Sequence, residues 1–173
     1  MDTLVSLRHL YGRLLALCGL IAGLMTFAVM CLVCANVLMR YAFNAPIPGT
    51  LELTESALPI MIFLSVALTQ HGGGHIKVTL LTQHLSPIPR RALQVFAMAA
   101  GAVVFGWAAW AGWEMAMKAY SYGELERGAI SFPLWPVKFV VFFGLALLAV
   151  QFLIDAVLAA LGWQLPEMAE VLE

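Results

Sequence analysis

Four long apolar stretches take up most of this 173-residue chain, and none carries a charged residue near its middle. They run roughly over Leu14–Met39, Ser56–Gln70, Leu93–Met117 and Phe139–Leu161. A bilayer's hydrocarbon core is about 30 Å thick, which needs about 20 helical residues at 1.5 Å each. Three stretches reach that length unaided. The second has only 15 residues and reaches it by extending back to Thr50. With 62% apolar and 11% charged residues, the chain has too little polar surface to cover a water-soluble core. The sequence therefore predicts an all-α integral membrane protein. It has four transmembrane helices, at about 14–39, 50–70, 93–117 and 137–161, in one membrane domain covering 1–173.

The connections are too short to fold into a separate catalytic domain. A net charge of −1 provides no basic field for nucleic acid. The three cysteines, Cys18, Cys31 and Cys34, all lie in the first stretch and read as packing residues. Cys31 and Cys34 have C-x-x-C spacing, but a lipid-embedded helix lacks the accessible thiolate that redox chemistry requires. The first stretch exceeds the apolar core of a cleaved signal and is expected to remain as a span.

Residues 3–13 place Leu4, Leu7, Tyr11 and Leu14 at helical spacing, as in a helical turn or two lying at the membrane surface and running into the first span. A second short interfacial helix is expected around Ile76–Leu85, where Ile76, Leu80, Leu81 and Leu85 share a face. Asn44–Gly49 forms a compact turn because its prolines and glycine cannot continue a helix. Extending the second span to Thr50 brings in Glu52 and Glu55, three apart and so on one face. Pro59 removes a backbone bond to the Glu55 carbonyl and predicts a kink there. In the third span, Ala97 with Gly101 and Ala108 with Gly112 are small-x-x-x-small pairs, which allow close helix approach in lipid. Trp107, Trp110 and Trp113 read as an aromatic belt at headgroup level, and Glu114 with Lys118 as a local ion pair. Pro133-Leu134-Trp135-Pro136 opens the fourth span, where first-turn amides have no helical partner to lose.

With the N-terminus inside, the inner side collects Arg8, Arg13, Lys77, Arg90 and Arg91. The outer side collects Arg40, Lys118, Arg127 and Lys138. The clustered Arg90-Arg91 and the N-terminal pair favour cytoplasmic termini.

Chemistry is sparse. His9, His71, His75 and His84 fall in interfacial or loop segments, which suits headgroup contact better than haem or metal ligation. Asp155 lies late in the fourth span and reads as an interface or packing residue rather than a proton carrier. No nucleotide-binding, metalloprotease or serine-hydrolase motif occurs, so the chain does not read as an enzyme. A transport path needs polar groups or broken helices near the midplane, and these are missing too. The spans present packing surfaces suited to a larger membrane partner.

Four short motifs occur in the order seen in one family. Asn36-Val37-Leu38-Met39-Arg40-Tyr41-Ala42-Phe43 resembles an N-V-x-x-R-Y-x-F signature. Pro48-Gly49-Thr50-Leu51-Glu52-Leu53 resembles P-G-x-x-E-L, and Gly73–Leu81 resembles G-G-H-I-[RK]-V-[DT]-L-L. Pro133–Pro136 with Gly144 is similar to the same family's fourth-span opening. Together they resemble the small membrane subunit of tripartite ATP-independent periplasmic (TRAP) transporters, over about residues 10–155. Thr79, where many members carry Asp, and Gly49-Thr50, where a large branch has Trp before paired acids, depart from the pattern.

The resemblance implies a larger permease subunit and a soluble periplasmic receptor as partners, besides membrane lipids. It implies uptake of an organic acid anion, a carboxylate, driven by a sodium gradient, in the bacterial inner membrane. It implies no cofactor in this chain, with ion sites in the large subunit. Candidate interface or structural residues are Asn36, Arg40, Glu52, Glu55, His75, Pro133 and Trp135. Arg40 is expected to pair with Glu52, Glu55 or a group on the large subunit, or else to snorkel to phosphate. Asn36 is expected to hydrogen-bond across helices or to its own backbone, and His75 to anchor the cytoplasmic loop. A structural or assembly subunit of another membrane complex is the alternative.

Overall fold

The computed structural model describes residues 2–72 and 87–161. Four helices make up nearly all of it: α1 (Asp2–Phe43), α2 (Thr50–His71), α3 (Pro87–Tyr122) and α4 (Trp135–Ala160). Each contains a segment long and apolar enough to cross a membrane. The interfacial helix expected around Ile76–Leu85 lies outside the described residues. The expected N-terminal helical turns run unbroken from Asp2 into the first span as one helix, α1. No proline interrupts it, and at 42 residues it is about 63 Å long. That is about twice the hydrocarbon thickness, so α1 tilts or extends beyond the bilayer core.

α1 ends at Phe43 and is followed by Asn44, whose φ of 52° is left-handed backbone that asparagine adopts more readily than most residues. α2 begins at Thr50 and therefore includes Glu52 and Glu55 in its first turns. Gly49 caps it at φ 79°, where any side chain is strained, and its carbonyl accepts from the Leu53 N–H at 3.0 Å. α2 continues through Pro59 to His71 as one helix. The early prolines of the α4 opening sit as expected, with Leu134 as N-cap and proline in the first turn.

The helices pack as a row rather than a closed bundle. α1 packs against α2, α2 against α4, and α4 against α3. The main core joins Leu15, Cys18 and Ala22 of α1 to Leu64 and Ala67 of α2 and Leu147 and Leu148 of α4. The α2–α4 crossing depends on Gly144, because a Cβ there would collide with the Phe63 carbonyl oxygen. Only hydrogen at that position lets the two backbones touch.

The α3–α4 seam uses one glycine from each of the two expected small-residue pairs, Gly101 and Gly112, together with other small residues of α3. Met98, Ala109, Ala116 and Ala119 are buried. Gly101 lies under the Phe152 ring, at 2.8 Å from an added Cβ, and Gly112 lies against Phe142. Ala97, by contrast, is exposed. The real seam alternates steps of three and four along α3, as antiparallel helix packing requires, whereas small-x-x-x-small pairing counts only fours. Phe105 stacks on Phe152 at 5.3 Å between ring centres.

Several other expectations change. Of the cysteines, only Cys18 is buried, and Cys31 and Cys34 face outward from the chain. All three tryptophans are exposed, but Trp113, the least so, also meets Phe139 and Phe142 of α4 edge-on at 5.7 and 5.2 Å. Steps of three advance the helix by only 300°, so the trio fans across an arc and its last member reaches α4. Glu114 does not pair with Lys118 among the described residues. It accepts instead from Trp110 Nε1 at 3.2 Å.

Candidate functional site

The polar side chains gather at the two ends of the row. At one end lie the α1–α2 corner and the α3–α4 loop. Asn36 Oδ1 accepts from the Ile47 N–H at 2.8 Å, tying the last turns of α1 to the descending corner. This is neither of the two expected bonds. The partner is a turn amide left without a helical acceptor, because Ile47 lies between Pro46 and Pro48. Thr50 Oγ1 donates to the Ile47 carbonyl at 2.9 Å and closes the corner from the other side.

The α3–α4 loop folds back as a small hairpin. Glu126 N–H donates to the Phe132 carbonyl at 2.9 Å, and Leu134 N–H to the Glu124 carbonyl at 3.0 Å. Pro133 sits in the bridge opposite Leu125. Lys138 forms an ion pair with Glu124, holding the hairpin to the start of α4. Trp135 meets Tyr120 of α3 edge-on at 5.6 Å, linking the two helices at this end, and Phe139 of its own helix at 6.0 Å.

The hairpin then clasps the corner. Its Ala129 N–H donates to Glu52 Oε1, Gly128 lies directly against the Glu52 carboxylate, and Ile130 packs over Gly49. Glu52 therefore serves the α3–α4 loop rather than Arg40. Among the described residues Arg40 pairs with neither Glu52 nor Glu55, and both Arg40 and Glu55 are exposed. The corner and hairpin meet only in the folded chain, since Glu52 and Ala129 are 77 residues apart. No local spacing rule would link them.

At the opposite end of the row is a polar network inside the protein. Asp155 is 3% exposed, and each of its carboxylate oxygens accepts one N–H. Gln70 Nε2 donates to Oδ2 and Gln151 Nε2 to Oδ1, both at 2.9 Å. Gln151 is fully buried, and its Oε1 lies 3.2 Å from His71 Nδ1. Gln70 Nε2 also approaches Met98 Sδ at 3.6 Å. The His71 ring lies flush against α1 at Gly12, and Tyr11 Oη donates to the Leu147 carbonyl. All four helices converge here.

His71 is thus the last helical residue of α2 with a protein partner, not a headgroup histidine. Asp155 is the packing residue the sequence suggested, although its partners were not foreseen. The available signal was Gln151 with Asp155 at i, i+4 in an apolar part of α4, and Gln70 one residue before the end of α2. His75 lies outside the described residues.

Among the described residues no group of three His, Cys, Asp or Glu side chains could hold a metal. Both ends tie helices together and leave the faces of the row apolar. Residues 29–162 match the family described as "Tripartite ATP-independent periplasmic transporters, DctQ component". A search of curated proteins found no match. That family match covers most of the chain and includes the corner clasp and the Gln70, His71, Gln151 and Asp155 members of the buried network. The chain therefore belongs to the DctQ family of TRAP transporter small permease components and is a multi-pass inner-membrane protein.

Proposed function

We propose that this chain braces the large permease subunit of its TRAP transporter during sodium-driven, receptor-dependent uptake of an organic acid anion. One observation carries the reading: the four-helix row leaves long apolar faces that its own core does not cover. Over the second half of α1, Leu24, Phe27, Met30, Val33, Val37 and Leu38 are all exposed. Such a row is stiffened at both ends by polar ties and offers its sides for helix packing. Substrate and ion chemistry then belongs to the partner, and the termini face the cytoplasm. Arg40, unpaired with either acid of α2, is the charge that this reading directs to an acidic or carbonyl group of the large subunit.

Deleting this chain from cells that express the large permease and the receptor is expected to abolish sodium-dependent carboxylate uptake. The two membrane subunits should also co-purify in detergent. Arg40→Ala is expected to reduce that co-purification without lowering the amount of the small subunit in the membrane. Uptake that persists at full rate without this chain would overturn the brace reading. Unchanged co-purification of Arg40→Ala would overturn the Arg40 assignment alone.

A further inference from the structure

The buried network around Asp155 is built as a matched set of donors and acceptors. Gln151 has its Oε1 beside His71 Nδ1, which leaves its Nε2 facing Asp155. Gln70 Nε2 reaches both Asp155 Oδ2 and the weak acceptor Met98 Sδ. Asp155 therefore meets N–H groups at both oxygens, one from its own helix and one from α2. Buried polar groups are costly when mismatched, so such a set tolerates one relative placement of the helices and penalises its neighbours. Apolar packing in lipid discriminates far less, because a helix slid by one residue still finds hydrocarbon.

We infer that Asp155 is a positioning residue which, with both oxygens acting as acceptors for Gln70 and Gln151, sets the register of the end of α2 on α4. The placement matters because the chain leaves α2 at Gly72, two residues beyond Gln70. His71, held by Gln151 and pressed against Gly12, carries the same placement to α1. Among the described residues, Tyr11 of α1 interacts electrostatically with Asp155, and His71 of α2 reaches the network through Gln151. This inference concerns the chain's own helices and holds or fails independently of the brace reading.

Exchanging the two roles tests it. Gln70→Glu alone sets two carboxylates against each other. Combined with Asp155→Asn, it restores one acceptor and one donor in the reversed order, with the bond from Gln151 kept. In the detergent-purified protein, Gln70→Glu is expected to lower Tm by roughly 5 °C or more, and adding Asp155→Asn to recover most of that loss. Hydrogen exchange should quicken in Gln70→Glu over Ala67–Gly72 and return toward wild type in the double variant, with Leu53–Ile60 little changed throughout. If Gln70→Glu is too unstable to purify, recovery of the double variant in good yield gives the same answer. Losses that simply add, a Gln70→Glu protein as stable as wild type, or a double variant that cannot be recovered would each overturn the inference.

Discussion

Asn36 illustrates how much a single side chain settles at the end of a long helix. The Ile47 amide lies in a turn bounded by prolines, and Asn36 Oδ1 is its acceptor at 2.8 Å. Replacing Asn36 by Ala leaves that donor without its partner, at a cost of about 1–3 kcal/mol where water is scarce. Asn36→Asp keeps an acceptor in place and should cost less than Asn36→Ala. Thermal unfolding of the two purified variants should therefore rank Asp above Ala. The reverse order would mean that another group satisfies Ile47. Glu52 makes a related point. Its position in a motif suggested Arg40 as partner, yet the backbone of a loop 77 residues away had the stronger geometric claim. A carboxylate facing a backbone N–H keeps its bond through small side-chain motions, whereas an exposed arginine competes with water.

At the scale of elements, the α2–α4 contact is set by one missing methyl group. Gly144 lets α4 touch the backbone of α2 at Phe63, and the surrounding Leu147 and Leu148 complete the seam. Gly144→Ala must push the helices apart or bend one of them, and overpacking of this kind costs typically ~1–3 kcal/mol. The expected outcome is a lower Tm, with loss of the Asp155–Gln70 coupling described above. Gly106, which has nothing within 4 Å of an added Cβ, serves as the control, and Gly106→Ala should be neutral or mildly stabilising through helix propensity. Equal losses at the two positions would show that the α2–α4 crossing does not depend on Gly144. The aromatic side chains divide in the same way. Trp113 with Phe139 and Phe142, and Trp135 with Tyr120, are rungs between α3 and α4, while Trp107 and Trp110 belong to the outer face.

For the molecule as a whole, a row of four helices has no inside of its own beyond the seams. Its two ends are tied by the Glu52 clasp and the Asp155 network, and its sides remain apolar and open. A partner that binds only the folded row stabilises it by mass action, about 2.7 kcal/mol at a hundredfold excess over Kd. Co-expression with the large permease should therefore raise the Tm of this subunit well above that of the isolated chain in the same detergent. An unchanged Tm at full occupancy would show that the open faces are not where the partner acts.

Membrane residence, the number of spanning helices and the ends of α2 and α4 could be read directly from the chain, whereas α1 and α3 run several residues beyond the apolar stretches that announced them. Runs of apolar residues, Pro-Gly turns and boundary charges act locally, and lipid leaves the backbone little choice but helix. The family was legible for a similar reason, since its motifs fall at corners such as Asn36–Phe43 and Pro48–Leu53 where backbone geometry demands particular residues. Partners distant in sequence were decided only by the tertiary structure. It gave Glu52 to Ala129, Trp113 to α4, Gly144 to Phe63, and Asp155 to two glutamines on different helices. The physical reason is that hydropathy states which surfaces avoid water but is nearly silent on which apolar face meets which. That choice rests on a few close contacts and matched hydrogen bonds, and these exist only once the helices are side by side.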